Sequence, residues 1–277
     1  MKAVDVLWPG REARVTPLSG GITNRNFKVD VDGESYVLRI GGRDTELLGI
    51  DRYNEHEASI AAARLGIAPE VLRYQSGYLV TRFVEGEPGV VDDVEGVARM
   101  LRRLHDSAPI GGRFDSFRVV EAYRATAIEH GIPVPDDYDR AHGFALTIER
   151  LRENVPRRPC HNDLLAANFI NDGERLWIVD WEYAGMGDPY FDLGNFAVNN
   201  GLDEDAEARF LAAYGADDLD GFVLMRFMSD FREAMWGVVQ QALSELDVDF
   251  EAYASEHFER LARTAAEPRF RRALGQM

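Results

Sequence analysis

Cysteine and lysine are almost missing from this 277-residue sequence, which holds one of the first, Cys160, and two of the second, Lys2 and Lys28. A single cysteine excludes an internal disulfide, and its position before His161 reads as a small buried residue rather than a nucleophile. No apolar run approaches the roughly 20 residues that a membrane-spanning helix needs, so no membrane association is expected. The opening residues, Met1 to Val6, are interrupted by Lys2 and Asp5 and do not read as a secretory leader. The expected location is cytoplasmic. Basic excess is missing too: the formal net charge of -17 repels a phosphate backbone and argues against a nucleic-acid partner, while remaining compatible with a cationic small-molecule substrate. There is no G-x-x-x-x-G-K-[ST] loop, which disfavours a P-loop fold. The remaining histidines lack metal-site spacing, and no repeat or low-complexity tract interrupts the chain. Nothing in the composition separates a monomer from a homodimer.

What is there is enough apolar material, 45% of residues, to bury a substantial core as one large domain or two lobes. The most informative stretch runs from Cys160 to Tyr190. Arg157 to His161 approaches a turn, Leu164 to Ile170 is mostly apolar, Asn171-Asp172-Gly173 is a turn signal, and Leu176 to Val179 reads as a buried strand. A loop, a hairpin and a second loop would bring Asp163 and Asn168 near Asp180. An ionised Asp163 can accept the proton of an attacking hydroxyl. Asn168 and Asp180 supply hard oxygen ligands suited to Mg2+ on a nucleotide phosphate, with Glu182 as a further carboxylate for the metal or its water shell. The competing view is that these are turn and cap residues chosen for local hydrogen bonding.

His161 to Asn168 resembles the H-x-D-x-x-x-x-N catalytic loop of protein-kinase-like small-molecule kinases, and Val179-Asp180-Trp181-Glu182 resembles their metal-binding segment. The form Asp180-Trp181-Glu182-Tyr183, followed by Phe191-Asp192-Leu193-Gly194-Asn195, is closer to choline and ethanolamine kinases, bacterial choline kinases included, than to the aminoglycoside phosphotransferases of the same superfamily. The resemblance implies an α+β fold with two lobes, a small β-rich nucleotide-binding lobe over 1–88 and a larger, mainly helical lobe over 89–277. It also implies ATP and Mg2+ as cofactors, Asp163 as the base, and His161 as a brace of the catalytic loop beside Asn168.

In the first half, Val15 to Val29 reads as strand, tight turn, strand. Gly20 and Gly21 let backbone N–H groups approach phosphate oxygens, and Ser19, Thr23 and Asn24 can add side-chain donors; Ser-Gly-Gly-x-Thr-Asn resembles the phosphate-covering loop of choline kinases. Ser35 to Ile40 is the next expected strand, with Val37 and Arg39 on one face. By resemblance Arg39 takes the phosphate-gripping place that most kinases give to lysine. Ile50 to Leu65 has the spacing of an amphipathic helix with Asp51 as cap. Glu55 is the expected carboxylate partner of Arg39, and Glu57 is its competitor. Tyr78 to Gly86 passes from strand to linker and resembles the hinge that holds adenine, here Arg82, Phe83 and Val84, with the lobe boundary where Gly86 to Gly89 cluster glycine and proline.

Beyond the hinge, helices are expected over 91–107, 119–130, 136–154, 204–214, 219–246 and 250–265, and clear strands only around Asn171-Asp172-Gly173. His105 is expected to be structural, having no acidic partner placed by sequence. Residues 111–158 carry no assigned role. Aromatic faces hold ammonium groups at about 0.5–2 kcal/mol each, which points to Trp181, Tyr183, Tyr190, Phe191, Phe231, Trp236 and Tyr253, with Asp230, Glu233 and Glu245 as acidic company. Ser229 to Trp236 resembles the late helix that supplies tryptophan to the ammonium pocket of bacterial choline kinases, although one tryptophan stands where two are expected. At helical spacing, Phe231, Met235 and Trp236 fit a core as well as a cage. The reading is an ATP-dependent phosphotransferase acting on the hydroxyl of a small amino alcohol, choline or ethanolamine. The alternatives are a kinase of another hydroxylated compound, such as an aminoglycoside, thiamine or a sugar, and a nucleotide-binding protein of kinase fold without turnover.

Overall fold

The computed structural model describes residues 2–18, 23–42, 45–75 and 77–275. The N-terminal part contains helix α1 (Lys2–Leu7), strands β1 (Ala13–Pro17), β2 (Asn24–Val31) and β3 (Glu34–Gly41), helix α2 (Arg52–Arg64), and strands β4 (Val71–Gln75) and β5 (Tyr78–Arg82). The five strands form one antiparallel sheet in the order β1-β2-β3-β5-β4. Alternation along the strands puts Val29, Val31, Leu38 and Val80 on one face, where Ala3 and Leu7 of α1 cover them in a small core. Arg39 follows Leu38 and so points to the opposite face. Asp51 starts α2 by accepting the N–H groups of Tyr53 and Asn54.

The rest of the chain runs through β6 (Glu87–Pro88), α3 (Val94–His105), α4 (Ser116–Glu129), α5 (Asp137–Arg152), β7 (Arg158–Cys160), β8 (Phe169–Asn171), β9 (Leu176–Ile178), β10 (Gly185–Gly187), α6 (Pro189–Asn199), α7 (Glu204–Tyr214), α8 (Leu219–Leu243), α9 (Phe250–Ala266) and α10 (Pro268–Ala273). Strand β6 leaves the large sheet and pairs with β8, itself in a hairpin with β9. Gly86 permits that crossing, because a Cβ there would lie 2.4 Å from the carbonyl oxygen of Asn171. Helix α8 is buried over most of its length and packs against α9, α6 and α4. Gly194 lets α6 lie directly on α8: a Cβ would come 2.6 Å from the backbone nitrogen of Arg226. The β-rich first part and helical second part make an α+β fold.

Several elements differ from the sequence-based expectation, among them the short strands β6 and β10, which lie outside the Asn171-Asp172-Gly173 hairpin. Phe191 to Asn195 lies inside α6, a helix buried on every side, so it carries no polar stripe to reveal its period. Arg158–Cys160 is a strand rather than an approach to a turn, paired antiparallel with β10; each is three residues long, too short for alternation to register. The expected helices are present with ends shifted by at most a few residues, α4 beginning at Ser116 because Asp115 caps it.

Candidate active site

The residues of the expected catalytic loop follow β7 and are held by side chains of α6. Asp192, fully buried, accepts the backbone N–H of His161 at 2.9 Å and of Asn162 at 2.7 Å. Asn195 Oδ1 accepts the N–H of Leu164, and its amide donates to Ser229 Oγ on α8. These contacts hold Asn162 at a φ of 67°, a left-handed conformation that a non-glycine residue adopts at a cost. His161 bonds through Nε2 to the Val179 carbonyl (3.0 Å) and through Nδ1 to the Asp163 N–H (3.2 Å). A carbonyl only accepts and an amide N–H only donates, so the proton sits on Nε2. The Trp181 ring packs edge-on against His161 with centroids 4.6 Å apart, and its indole N–H donates to Ile178.

Asp163 is therefore fixed in backbone and side chain alike. Its Oδ2 accepts from Asn168 Nδ2 at 3.1 Å, and that amide also donates to the Asp163 carbonyl at 2.8 Å. Its Oδ1 accepts from Arg232 Nη2 at 2.8 Å. Burial pushes the Asp163 carboxyl above its ordinary pKa, with the Arg232 charge opposing. Arg232 is itself buried on α8; burial disfavours its charge, and Glu233 and Asp163 together more than offset this.

Asp180, two residues beyond β9, belongs to a chain of alternating charges. Arg39 Nη1 bridges Glu55 at 2.6 Å and Asp180 at 2.7 Å. Arg52 Nη1 bridges Glu55 at 2.7 Å and Glu182 at 3.0 Å. Glu182 also accepts from Thr23 Oγ1 at 2.6 Å and Asn24 Nδ2 at 2.8 Å. Glu55 rather than Glu57 faces Arg39; Glu57 is half exposed and lies 3.4 Å from His56 Nδ1. Burial and the nearby Asp180 charge raise the Glu182 pKa to about 7, against the pull of Arg39 and Arg52. The two arginines and three carboxylates leave one net negative charge when all are ionised.

A magnesium ion fits the oxygen donors here. The amide nitrogen of Asn168 is used on Asp163, so its Oδ1 is turned away and takes no hydrogen bond among the described residues. Asp180 binds Arg39 through Oδ1 only and is held at a φ of 66°. Both offer hard oxygens of the type the ion prefers. Glu182 departs from the expected placement, because both its oxygens are occupied by donors from β2, α2 and the residue before β2. It ties the helical part to the sheet.

The phosphotransferase enzyme family (APH) matches residues 14–231. The chain belongs to that family, within its choline/ethanolamine kinase group. A choline/ethanolamine kinase family protein from Mesorhizobium loti is 30% identical, with 99% of this chain and 97% of that one superposed at a TM-score of 0.84. Protein LicA of Haemophilus influenzae is 29% identical over 210 residues, 70% of this chain and 61% of LicA, so the match leaves over a third of that relative uncovered. Thiamine kinase of Escherichia coli is 27% identical over 192 residues, 67% of this chain and 66% of the relative.

In this phosphotransferase the aromatic candidates separate. The Tyr183 ring lies 5.1 Å from the Arg232 guanidinium, and Trp236 packs edge-on to Tyr253 with centroids 5.5 Å apart. Tyr253 donates its hydroxyl to Glu233. Three expected substrate residues are engaged elsewhere. Trp181 is packed on His161. Tyr190 is tied at the start of α8 by Asp217 and by the N–H groups of Asp217 and Asp218. Asp230 faces α9, paired with His257 at 3.0 Å and Arg260 at 2.9 Å. Phe191 on α6 and Phe231 on α8 are fully buried core residues, the second in line with the core alternative for α8.

At the hinge, the Arg82 side chain pairs with Glu34 and Glu70, and the Phe83 N–H donates to Ser35. That leaves the Val84 N–H without a hydrogen bond among the described residues. Ser19, Gly20 and Gly21 lie outside the described residues. Arg232 carried no expected role, because nothing in a long apolar helix marks which polar residue faces the catalytic loop. Asp192 was visible as part of a motif, though without its partners. A cleft of about 660 Å3, bordered by Leu48, Asn54, Phe114, Val119, Glu182 and Tyr183, opens beside the site. Its walls draw on α4 and the loop before it, within residues 111–158.

Proposed function

We propose that this protein phosphorylates the hydroxyl of a small amino alcohol, choline or ethanolamine, at the expense of ATP. The observation that carries the reading is Asp163, a buried carboxylate oriented by Asn168 and Arg232, with Asn168 tied through its carbonyl to the N–H of Val179, the residue before Asp180 of the Arg39–Asp180–Glu55 cluster. Asp163 accepts the hydroxyl proton or orients the hydroxyl toward the terminal phosphate. Arg39 steadies the phosphates, and the hinge around Val84 receives adenine. Asn168 and Asp180 hold magnesium, with Glu182 closing the site from behind; bound with the nucleotide, the ion would offset the charge that develops on the phosphates. Tyr183, Trp236 and Tyr253 stand around Glu233 on the acceptor side, where the carboxylate suits a cation. The similarity to the M. loti protein supports the same acceptor class. No helix among the described residues is long and apolar enough to cross a membrane; a cytoplasmic site of action is part of the proposal.

Thiamine, also a cationic alcohol, is the second reading, favoured by the similarity to the E. coli thiamine kinase. The deciding experiment follows ADP release with ATP and magnesium against choline, ethanolamine, thiamine, aminoglycosides and sugars, and identifies the phosphorylated product. Selective turnover of choline or ethanolamine is expected. Asp163→Asn should bind ATP normally and lose several orders of magnitude in kcat. Turnover of another class alone would overturn the acceptor assignment, and an active Asp163→Asn would remove Asp163 from its role.

A further inference from the structure

Helix α8 sets two opposite charges side by side next to Asp163. Arg232 and Glu233 are 1% and 2% exposed. One end of the Arg232 guanidinium, Nη2, binds Asp163 at 2.8 Å and the Asn162 carbonyl at 2.6 Å. The other end, Nη1, lies 3.3 Å from Glu233 Oε1 but is not aligned to donate. Glu233 Oε2 accepts the Tyr253 hydroxyl at 2.9 Å, whereas Oε1 is buried with no hydrogen-bond donor. A buried carboxylate oxygen without a donor is costly and uncommon. The Asp163 and Glu233 carboxylates are thus one planar guanidinium apart. Their guanidinium-facing oxygens are therefore no more than about 8 Å apart, within reach of a two-carbon amino alcohol whose hydroxyl and nitrogen each make a hydrogen bond.

The aromatic surroundings point the same way. A quaternary ammonium has no N–H and is held by open aromatic faces. Here the Tyr183 face carries the internal Arg232 cation, and Trp236 is flanked edge-on by Phe250 and Tyr253. Little open aromatic face remains for methyl groups, while one oxygen lacks a donor.

Resting on the amino-alcohol reading above, we infer that Glu233 is a specificity-determining residue that selects acceptors whose nitrogen bears N–H, a primary ammonium over a quaternary one. The ammonium donates to Oε1 as the hydroxyl meets Asp163, and full methylation removes that donor and puts methyl groups against the carboxylate.

The test measures kcat/KM of the full chain, with ATP and magnesium, for ethanolamine, its N-methyl and N,N-dimethyl derivatives, and choline. The expected result is a decline across the series of about tenfold or more, as for loss of a charged hydrogen bond, with the largest step at loss of the last N–H. Glu233→Gln keeps the shape and removes the charge; it should raise the KM for ethanolamine and narrow the ethanolamine-to-choline ratio while leaving the KM for ATP unchanged. Tyr253→Phe, which frees Glu233 from its orienting hydroxyl, should narrow the same ratio less. Choline used as well as ethanolamine by the wild type, or a ratio unchanged in Glu233→Gln, would overturn the inference and leave the amino-alcohol reading standing. Turnover of none of the four acceptors with ATP binding intact would overturn both.

Discussion

Asp192 anchors the catalytic loop, and replacing it with asparagine should separate loop construction from nucleotide binding. Its carboxylate has no exposure and receives three N–H groups: His161 and His105 on Oδ2, at 2.9 and 3.0 Å, and Asn162 on Oδ1 at 2.7 Å. The His105 contact fixes that ring as well, with Nε2–H toward Asp192 and Nδ1 accepting from the Tyr214 hydroxyl. Asparagine keeps the shape but only one accepting oxygen, so at least one donor faces an NH2 group. A hydrogen bond to a charged group contributes about 1.5–3 kcal/mol, and an orphaned buried N–H costs a similar amount. With the amide oxygen turned to His161 and His105, two of the three contacts are preserved and the Asn162 N–H is orphaned; the expected loss is about 3 kcal/mol, a large part of the usual 5–15 kcal/mol. At a urea slope of about 2–3 kcal/mol per M, the unfolding midpoint should fall by about 1 M. Tryptophan fluorescence reports it, since Trp181 packs on His161 in the same loop. The loop should also hold Asp163 less firmly, lowering kcat while the affinity for ATP stays near wild type. A midpoint shift below about 0.3 M, or a loss of ATP affinity as large as the loss of kcat, would refute the argument.

Removing the Arg39 bridge in Arg39→Met should raise the KM for ATP about tenfold or more, the scale of a lost arginine–phosphate contact; a wild-type KM in steady-state assays would exclude Arg39 from phosphate binding. Gly194→Ala forces a methyl group into the backbone of Met225 and Arg226, 2.6–2.8 Å away, and should cost about 1–3 kcal/mol as overpacking. An unchanged melting temperature would show that α6 and α8 can move apart without loss. Burial pushes the Cys160 thiol well above its ordinary pKa, the Asp192 charge adding to the effect. Thiolate is the reactive form, so native protein at pH 8 should resist thiol reagents and expose one reactive thiol only in denaturant; rapid labelling of the folded protein would contradict the buried placement.

Much of the site could be read locally, because some of its geometry is set by residues close in sequence. Asp163 and Asn168 stand five positions apart, and the Asn171-Asp172-Gly173 turn folds β8 onto β9, which carries the chain on to Asp180. The alternation of β3 aims Arg39 away from the small core, and Asp51 starts the helix that presents Glu55. Such features depend on turn chemistry and strand period, which neighbouring residues determine.

Other features depend on contacts between residues far apart in the chain. Arg232 meets Asp163 across 69 positions, and Glu182 meets Asn24 across 158; no periodicity encodes such pairings. Glu182 as a tie between sheet and helices, Asp230 turned toward α9 and Tyr190 committed to the start of α8 were all decided by which face of a buried element met which neighbour. The same holds for α6, whose uniform burial removed the polar stripe that would have shown it to be a helix. The sequence by itself determined the order of the chemical groups and the local turns that present them. Tertiary packing decided which carboxylates face the reacting groups, because in a buried, charge-dense interior an acidic residue is placed by the donors that surround it.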